Sequence, residues 1–169
     1  MFNKLLSTLA VVLVMTAPAA SAEMNIVVLD PVRAILESDE AKVLAEAANK
    51  EMEPEIEELR VDAEEFQALQ AKLQKDGEVM SESERRRGLK DLEDMQTDLQ
   101  FGQQKLQKQT QDKRQEILQA MAPKYEKVLN DLIQIDQIDL ILSPNQLQYA
   151  NPKHDISRRV TEKLNEASD

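Results

Sequence analysis

Residues 76–84 read DGEVMSESE, and this short stretch decides the fold. Gly77 interrupts a long helix-forming run. Ser81-Glu82-Ser83-Glu84 then has the layout of a capping box, with Ser81 as N-cap and Glu84 reaching back to its amide. One helix stops here and another starts within a few residues. Two heptad helices joined by so tight a turn fold back as an antiparallel hairpin.

Working outward on the N-terminal side, Met52, Ile56, Leu59, Ala63, Phe66, Gln70 and Leu73 are spaced alternately by four and three, a heptad seam with one polar position. Glycine and strong strand formers are scarce over 41–76, a run that would be roughly 54 Å long as a continuous helix. On the C-terminal side Leu92, Leu99 and Leu106 are seven apart, flanked by Leu89, Met95 and Phe101. The seam lapses at Gln109, Thr110 and Lys113 and resumes at Ile117, an offset of eleven that predicts a local change of supercoil. The helix then continues through Pro123, Tyr125, Val128, Leu132 and Ile133.

The two ends of the chain read differently. Asn25-Ile26-Val27-Val28-Leu29 is a short β-branched run. Asp30-Pro31 ends it as an N-cap with proline at the first helical position, predicting a short helix over 32–37, and Ser38-Asp39-Glu40 offers a fresh helix start. Ile138-Asp139-Leu140-Ile141-Leu142 is the second strand candidate, and Leu147-Gln148-Tyr149, after the turn Ser143-Pro144-Asn145, a third. Asp155 can cap a final helix carrying Ile156, Val160 and Leu164. The predicted organisation is therefore a strand-containing body from 23–40 and 124–169, and a helical hairpin arm over 41–123 with its tip near 77–81. The fold class is mostly α with a small β body. A core that small, without disulfides and with exposed strand edges, calls for completion by other copies. Ile26, Val28, Ile138, Leu140, Leu142 and Tyr149 are the expected core of that body and of the contact between copies.

Residues 1–22 have the layout of a secretory signal peptide: Lys4, an apolar run from Leu5 to Met15 too short to span a bilayer, and a small-x-small site at Ala20-Ser21-Ala22. The chain has no cysteine, one histidine (His154) and a net charge of −11. The acidic balance argues against nucleic acid. A lone histidine, no glycine-rich phosphate loop and no nucleophile motif argue against a metal, a nucleotide or other cofactor, and catalysis.

The chain resembles the Skp/OmpH family of periplasmic chaperones. The residues that carry the resemblance are Ile138 to Leu142, Tyr149-Ala150-Asn151, Asp155-Ile156, and Asn25 to Leu29 behind a signal peptide. The Gln/Glu/Lys-rich hairpin matches the family's arms. The resemblance implies a periplasmic homotrimer whose arms enclose a cavity and hold unfolded outer-membrane β-barrel proteins without ATP. One departure stands out, because better-known members are basic. Here residues 41–80 hold five Lys/Arg against eleven Asp/Glu, a net of −6.

Three further features invite a role. Arg85-Arg86-Arg87 lies beside the predicted tip, where it either balances Glu78, Glu82 and Glu84 or makes weak contact with anionic lipid or client. Pro54 falls opposite Gly102 if the turn centres near Val79, suggesting a mid-arm hinge. Leu69 and Val79 lie off the expected seam and are candidate client contacts. The competing reading of the whole chain is an exported coiled-coil spacer or adaptor.

Overall fold

The computed structural model describes residues 24–167, so the signal-peptide segment lies outside the described residues. In chain order the elements are β1 (Ile26–Val28), α1 (Pro31–Leu36), α2 (Asp39–Asp76), α3 (Glu82–Asp136), β2 (Leu140–Leu142) and α4 (Ser157–Glu166). Short 3-10 turns at Pro144–Gln146 and Pro152–His154 lie between β2 and α4. The fold is mostly α, with one two-stranded sheet among the described residues.

Local chemistry sets the element ends. Asp30 caps α1 by accepting from the Arg33 amide at 3.0 Å, with Pro31 opening the helix. Ser38 is buried between α1 and α2, donating to the Ile35 carbonyl at 2.6 Å and capping α2. The capping box at Ser81 and Glu84 is formed. Gly77 permits the turn because a β-carbon there would stand 2.5 Å from the Leu73 carbonyl oxygen.

Helices α2 and α3 pair antiparallel, as cross-helix contacts show: Leu73 with Gly88, Leu59 with Gly102, Glu55 with Lys105, Glu51 with Lys113. The expected seam is half right. Met52, Leu59, Phe66 and Leu73 face α3, but the alternating positions are Glu55, Asp62, Leu69 and Asp76, while Ile56 and Gln70 are exposed. Apolarity alone does not fix this phase, because Ile56 and Leu69 pull in opposite directions. Nearer the base the seam is Ala41, Ala45 and Ala48, small residues that let α3 approach closely. On α3, Leu92, Met95, Leu99, Leu106, Gln109 and Lys113 continue the seam to Ile117, which is buried.

The two terminal parts of the described residues meet. Strand β1 pairs with β2 in parallel, Ile26 opposite Leu140 and Val28 opposite Leu142. The amide of Asp30 donates to the Ser157 hydroxyl at 2.9 Å, and that of Asp39 to the Asn165 side chain at 2.9 Å. Thr161, buried on α4, donates to the Ala34 carbonyl at 2.9 Å. Beneath them Leu29, Ala34, Ile35, Met121, Val128, Leu132, Val160 and Leu164 form one core. Two expectations fail here. Ile138 is not in a strand: Gln137 ends α3 in the left-handed conformation at φ 51°, and the Ile138 amide bonds back to Ile133. Leu147 to Tyr149 form no strand: the 3-10 turn Pro144–Gln146 follows β2 closely, and the backbone beyond it pairs with neither strand of the sheet.

Candidate functional site

The sheet has two unlike faces. Leu29 belongs to the helical core and Ile141 packs against it. The other face is open, and there Ile26, Leu140 and Tyr149 are 37%, 44% and 79% exposed. A concavity of about 690 Å³ lies on that side, walled by Ile26, Val28, Leu142, Leu147 and Tyr149. Of the six residues expected in the body core, Val28 alone is buried, Ile138 and Leu142 are half-buried, and the other three are on the surface. Met24, 61% exposed, extends the apolar patch.

Asp155 ties this base together. Its carboxylate accepts from the Ser157 amide at 2.9 Å and pairs with Arg33 at 2.6 Å, linking the entry to α4 with α1. Partial burial pushes the Asp155 carboxyl up, but the Ser157 hydrogen bonds and the Arg33 guanidinium outweigh it and hold it below the ordinary carboxylate value. The expected cap is therefore present, displaced one residue before the formal N-cap, Ile156.

The arm's seam is unusually polar at its middle. Lys105 donates to Glu55 at 2.9 Å and, together with Gln109, holds that carboxyl below its usual value. Lys113 spans Glu51 and Glu116, which hold it in the charged form. A shallow groove of about 180 Å³ runs along this flank, lined by Glu58, Asp62, Asp98, Phe101 and Lys105. Phe101 is 69% exposed at its edge.

The structure redraws the hinge. Pro54 and Gly102 are not opposite each other, because the turn centres between Met80 and Ser81 and pairs Gly102 with Leu59. Pro54 lies on the solvent side of an uninterrupted α2. Gly102 and Gly88 are receptacles: a β-carbon would stand 2.8 Å from a Leu59 methyl in one case and 2.7 Å from a Leu73 methyl in the other. The signal was present in the sequence, since both glycines and both leucines are fourteen apart.

At the tip, Arg85, Arg86 and Arg87 are exposed, and no ion pair involves them among the described residues. Glu84, one expected partner, is engaged by Ser81. Residues 72–90 hold six Lys/Arg and four Asp/Glu, against three and nine over 41–71. The arm is thus acidic along its shaft and basic at its end. Val79 is 87% exposed beside the arginines. Leu69, expected to be an exposed contact, is half-buried on the seam instead.

Among the described residues no group of three metal-ligating side chains occurs, and no helix is long and apolar enough to cross a membrane. A family model described as Outer membrane protein (OmpH-like) matches residues 25–164. A Skp-like protein of Pseudomonas aeruginosa is 31% identical over 153 residues, spanning 90% of this chain and 91% of that relative. A crystal structure from Caulobacter crescentus, described as a candidate OmpH-like outer membrane chaperone, shares the fold with a TM-score of 0.55 at 16% identity, covering 86% of each chain.

Proposed function

Because this chain belongs to the OmpH-like outer membrane protein family, a chaperone family, we propose that it is an ATP-independent holdase for unfolded outer-membrane β-barrel proteins in the periplasm. The observation that carries the reading is the joining of both chain ends into one sheet-bearing base from which a two-helix limb projects. In this reading the segment 1–22 serves as the export signal. Residues 23–40 and 124–169 act as the assembling body and 41–123 as the arm.

In this reading three copies meet through the open sheet face, where Ile26, Leu140 and Tyr149 are exposed. Such a patch on a small disulfide-free base is costly to leave in water and is removed from it by association. Three arms then surround a shared cavity. A client strand is half apolar and aggregates in water, so weak contacts at many points suffice to hold it, and release needs no nucleotide. No catalytic step or cofactor is required. The polar seam positions Glu55, Asp62, Gln109 and Lys113 favour a yielding limb over a stiff spacer. The basic tip, with Arg85, Arg86 and Arg87, provides a weak contact for anionic lipid or client.

The test is dilution of a urea-unfolded outer-membrane barrel into buffer with the processed protein. Light scattering should be suppressed at one trimer per client. Unchanged aggregation at several-fold excess sinks the holdase reading.

A further inference from the structure

The two flanks of the arm differ in chemistry. On one, the positions just before the seam residues Met52, Leu59 and Phe66 are Glu51, Glu58 and Glu65, and those before Leu92, Leu99 and Leu106 are Asp91, Asp98 and Lys105. The shaft's cross-helix ion pairs, Lys105 with Glu55 and Lys113 with Glu51, include these residues, and the groove that joins Glu58 to Asp98 lies here.

The other flank carries no charge at the equivalent places. The positions just after Glu55, Asp62 and Leu69 are Ile56, Ala63 and Gln70, and those after Met95, Gly102 and Gln109 are Gln96, Gln103 and Thr110. Antiparallel pairing puts these two rows side by side. The next row out is mixed, holding Gln67, Gln74, Gln100 and Gln107 together with Glu53, Arg60, Arg86 and Glu93, of which Arg60 is paired with Glu57 and Glu64. All these glutamines are exposed, and none spends its side-chain amide on a partner among the described residues. Ile56 at 44% and Leu89 at 54% exposure add apolar contact at the two ends of the row.

We infer that this glutamine-rich flank, uncharged along its inner row, is the surface that holds client polypeptide, by pairing side-chain amides with the unpaired main chain of an extended segment. The inference rests on the holdase reading and names the surface that carries it. Each peptide unit offers one donor and one acceptor, and a glutamine amide supplies both in return. Such pairing is indifferent to client sequence. An inner row without charge, bordered by residues of both signs, repels neither acidic nor basic segments overall, whereas the carboxylate flank repels acidic ones at close range. Rows of amides at seven-residue spacing give many weak contacts, so grip accumulates without any one strong site.

The experiment compares two variants of the full processed protein in the barrel-dilution assay. One carries Gln67→Ala, Gln70→Ala, Gln96→Ala and Gln103→Ala. The other carries Glu58→Ala, Glu65→Ala, Asp91→Ala and Asp98→Ala. Alanine sustains the helix in both, which circular dichroism verifies. The glutamine variant should bind client roughly tenfold more weakly, and the carboxylate variant should stay within about twofold of the wild type. A photo-crosslinker at Gln103 should capture client, and one at Asp98 should not. Equal loss in both variants, or capture from Asp98 alone, overturns the assignment while the holdase reading stands. Failure of the wild type itself to hold the barrel sinks both.

Discussion

Leu59 of α2 sits over Gly102 of α3, one of its methyls 2.8 Å from where a β-carbon on that glycine would stand. The same relationship recurs two heptads away between Leu73 and Gly88. Each glycine is the hole for a leucine knob, so the arm's register is set at two points fourteen residues apart.

Substitution at Gly102 should therefore follow side-chain size. Alanine gains about 1 kcal/mol of helix propensity and asks only a leucine methyl to rotate, so the melting temperature should change by a few degrees at most. Gly102→Leu should destabilise the arm by about 1–3 kcal/mol through overpacking. Adding Leu59→Ala to it should recover part of the loss, read by thermal melts at 222 nm. A Gly102→Leu protein that melts like the wild type refutes the knob-and-hole pairing.

Pro54 lacks the N–H for one backbone hydrogen bond of α2, although the helix runs on through it. Pro54→Ala should restore the bond to the Lys50 carbonyl and narrow the distribution of tip positions, measured by distance spectroscopy between labels at the tip and base. If that distribution is the same in both proteins, Pro54 is not a hinge.

The open sheet face is the proposed contact between copies. Leu140→Asp combined with Tyr149→Asp should yield a folded monomer, because both side chains lie outside the helical core. Sedimentation should show the loss of oligomer with helix content kept. An oligomer of unchanged mass would remove this face from the assembly.

Asp155 gives the base an acid limb. Its carboxyl is held below the ordinary value of about 3.9, so its contribution is complete above that pH and is lost as pH falls through the lower folded-state value. The urea midpoint of the base should drop below about pH 4, and Asp155→Asn should flatten that drop while lowering the midpoint at neutral pH. A wild-type midpoint that stays level into strong acid contradicts the role.

The three unpaired tip arginines should matter only on anionic surfaces. Replacing Arg85, Arg86 and Arg87 with Gln should weaken binding to phosphatidylglycerol vesicles by roughly a hundredfold at low salt, read by co-sedimentation, and leave neutral vesicles unaffected, since each basic side chain near such a surface contributes about 1 kcal/mol. Undiminished binding to the anionic vesicles leaves the cluster as a solvated charge run.

Much of this architecture is legible in the amino acids. Gly77 and the Ser81–Glu84 box mark the reversal, and Asp30-Pro31 and Ser38 mark two helix starts, because these signals act within four residues of chain. What escaped depends on contacts between distant segments. The seam phase turns on which α3 residues meet Glu55, and the strand expected at Leu147 to Tyr149 is absent because no sheet strand pairs with the backbone after the turn at Pro144. Leu69 and the Pro54–Gly102 coincidence were misplaced for the same reason, a register error of a few residues. Tyr149, expected in the body core, is 79% exposed, because the sheet has two strands and leaves that face uncovered.

The parallel pairing of β1 with β2 has a consequence for how such molecules can change. Since the base is closed by the strands on either side of the hairpin, everything from Asp39 to Asp136 is, topologically, a single excursion. Seven residues added to each helix at matching depth would restore every seam contact and lengthen the reach by about 10 Å, with the base untouched. Reach and foundation can therefore diverge independently.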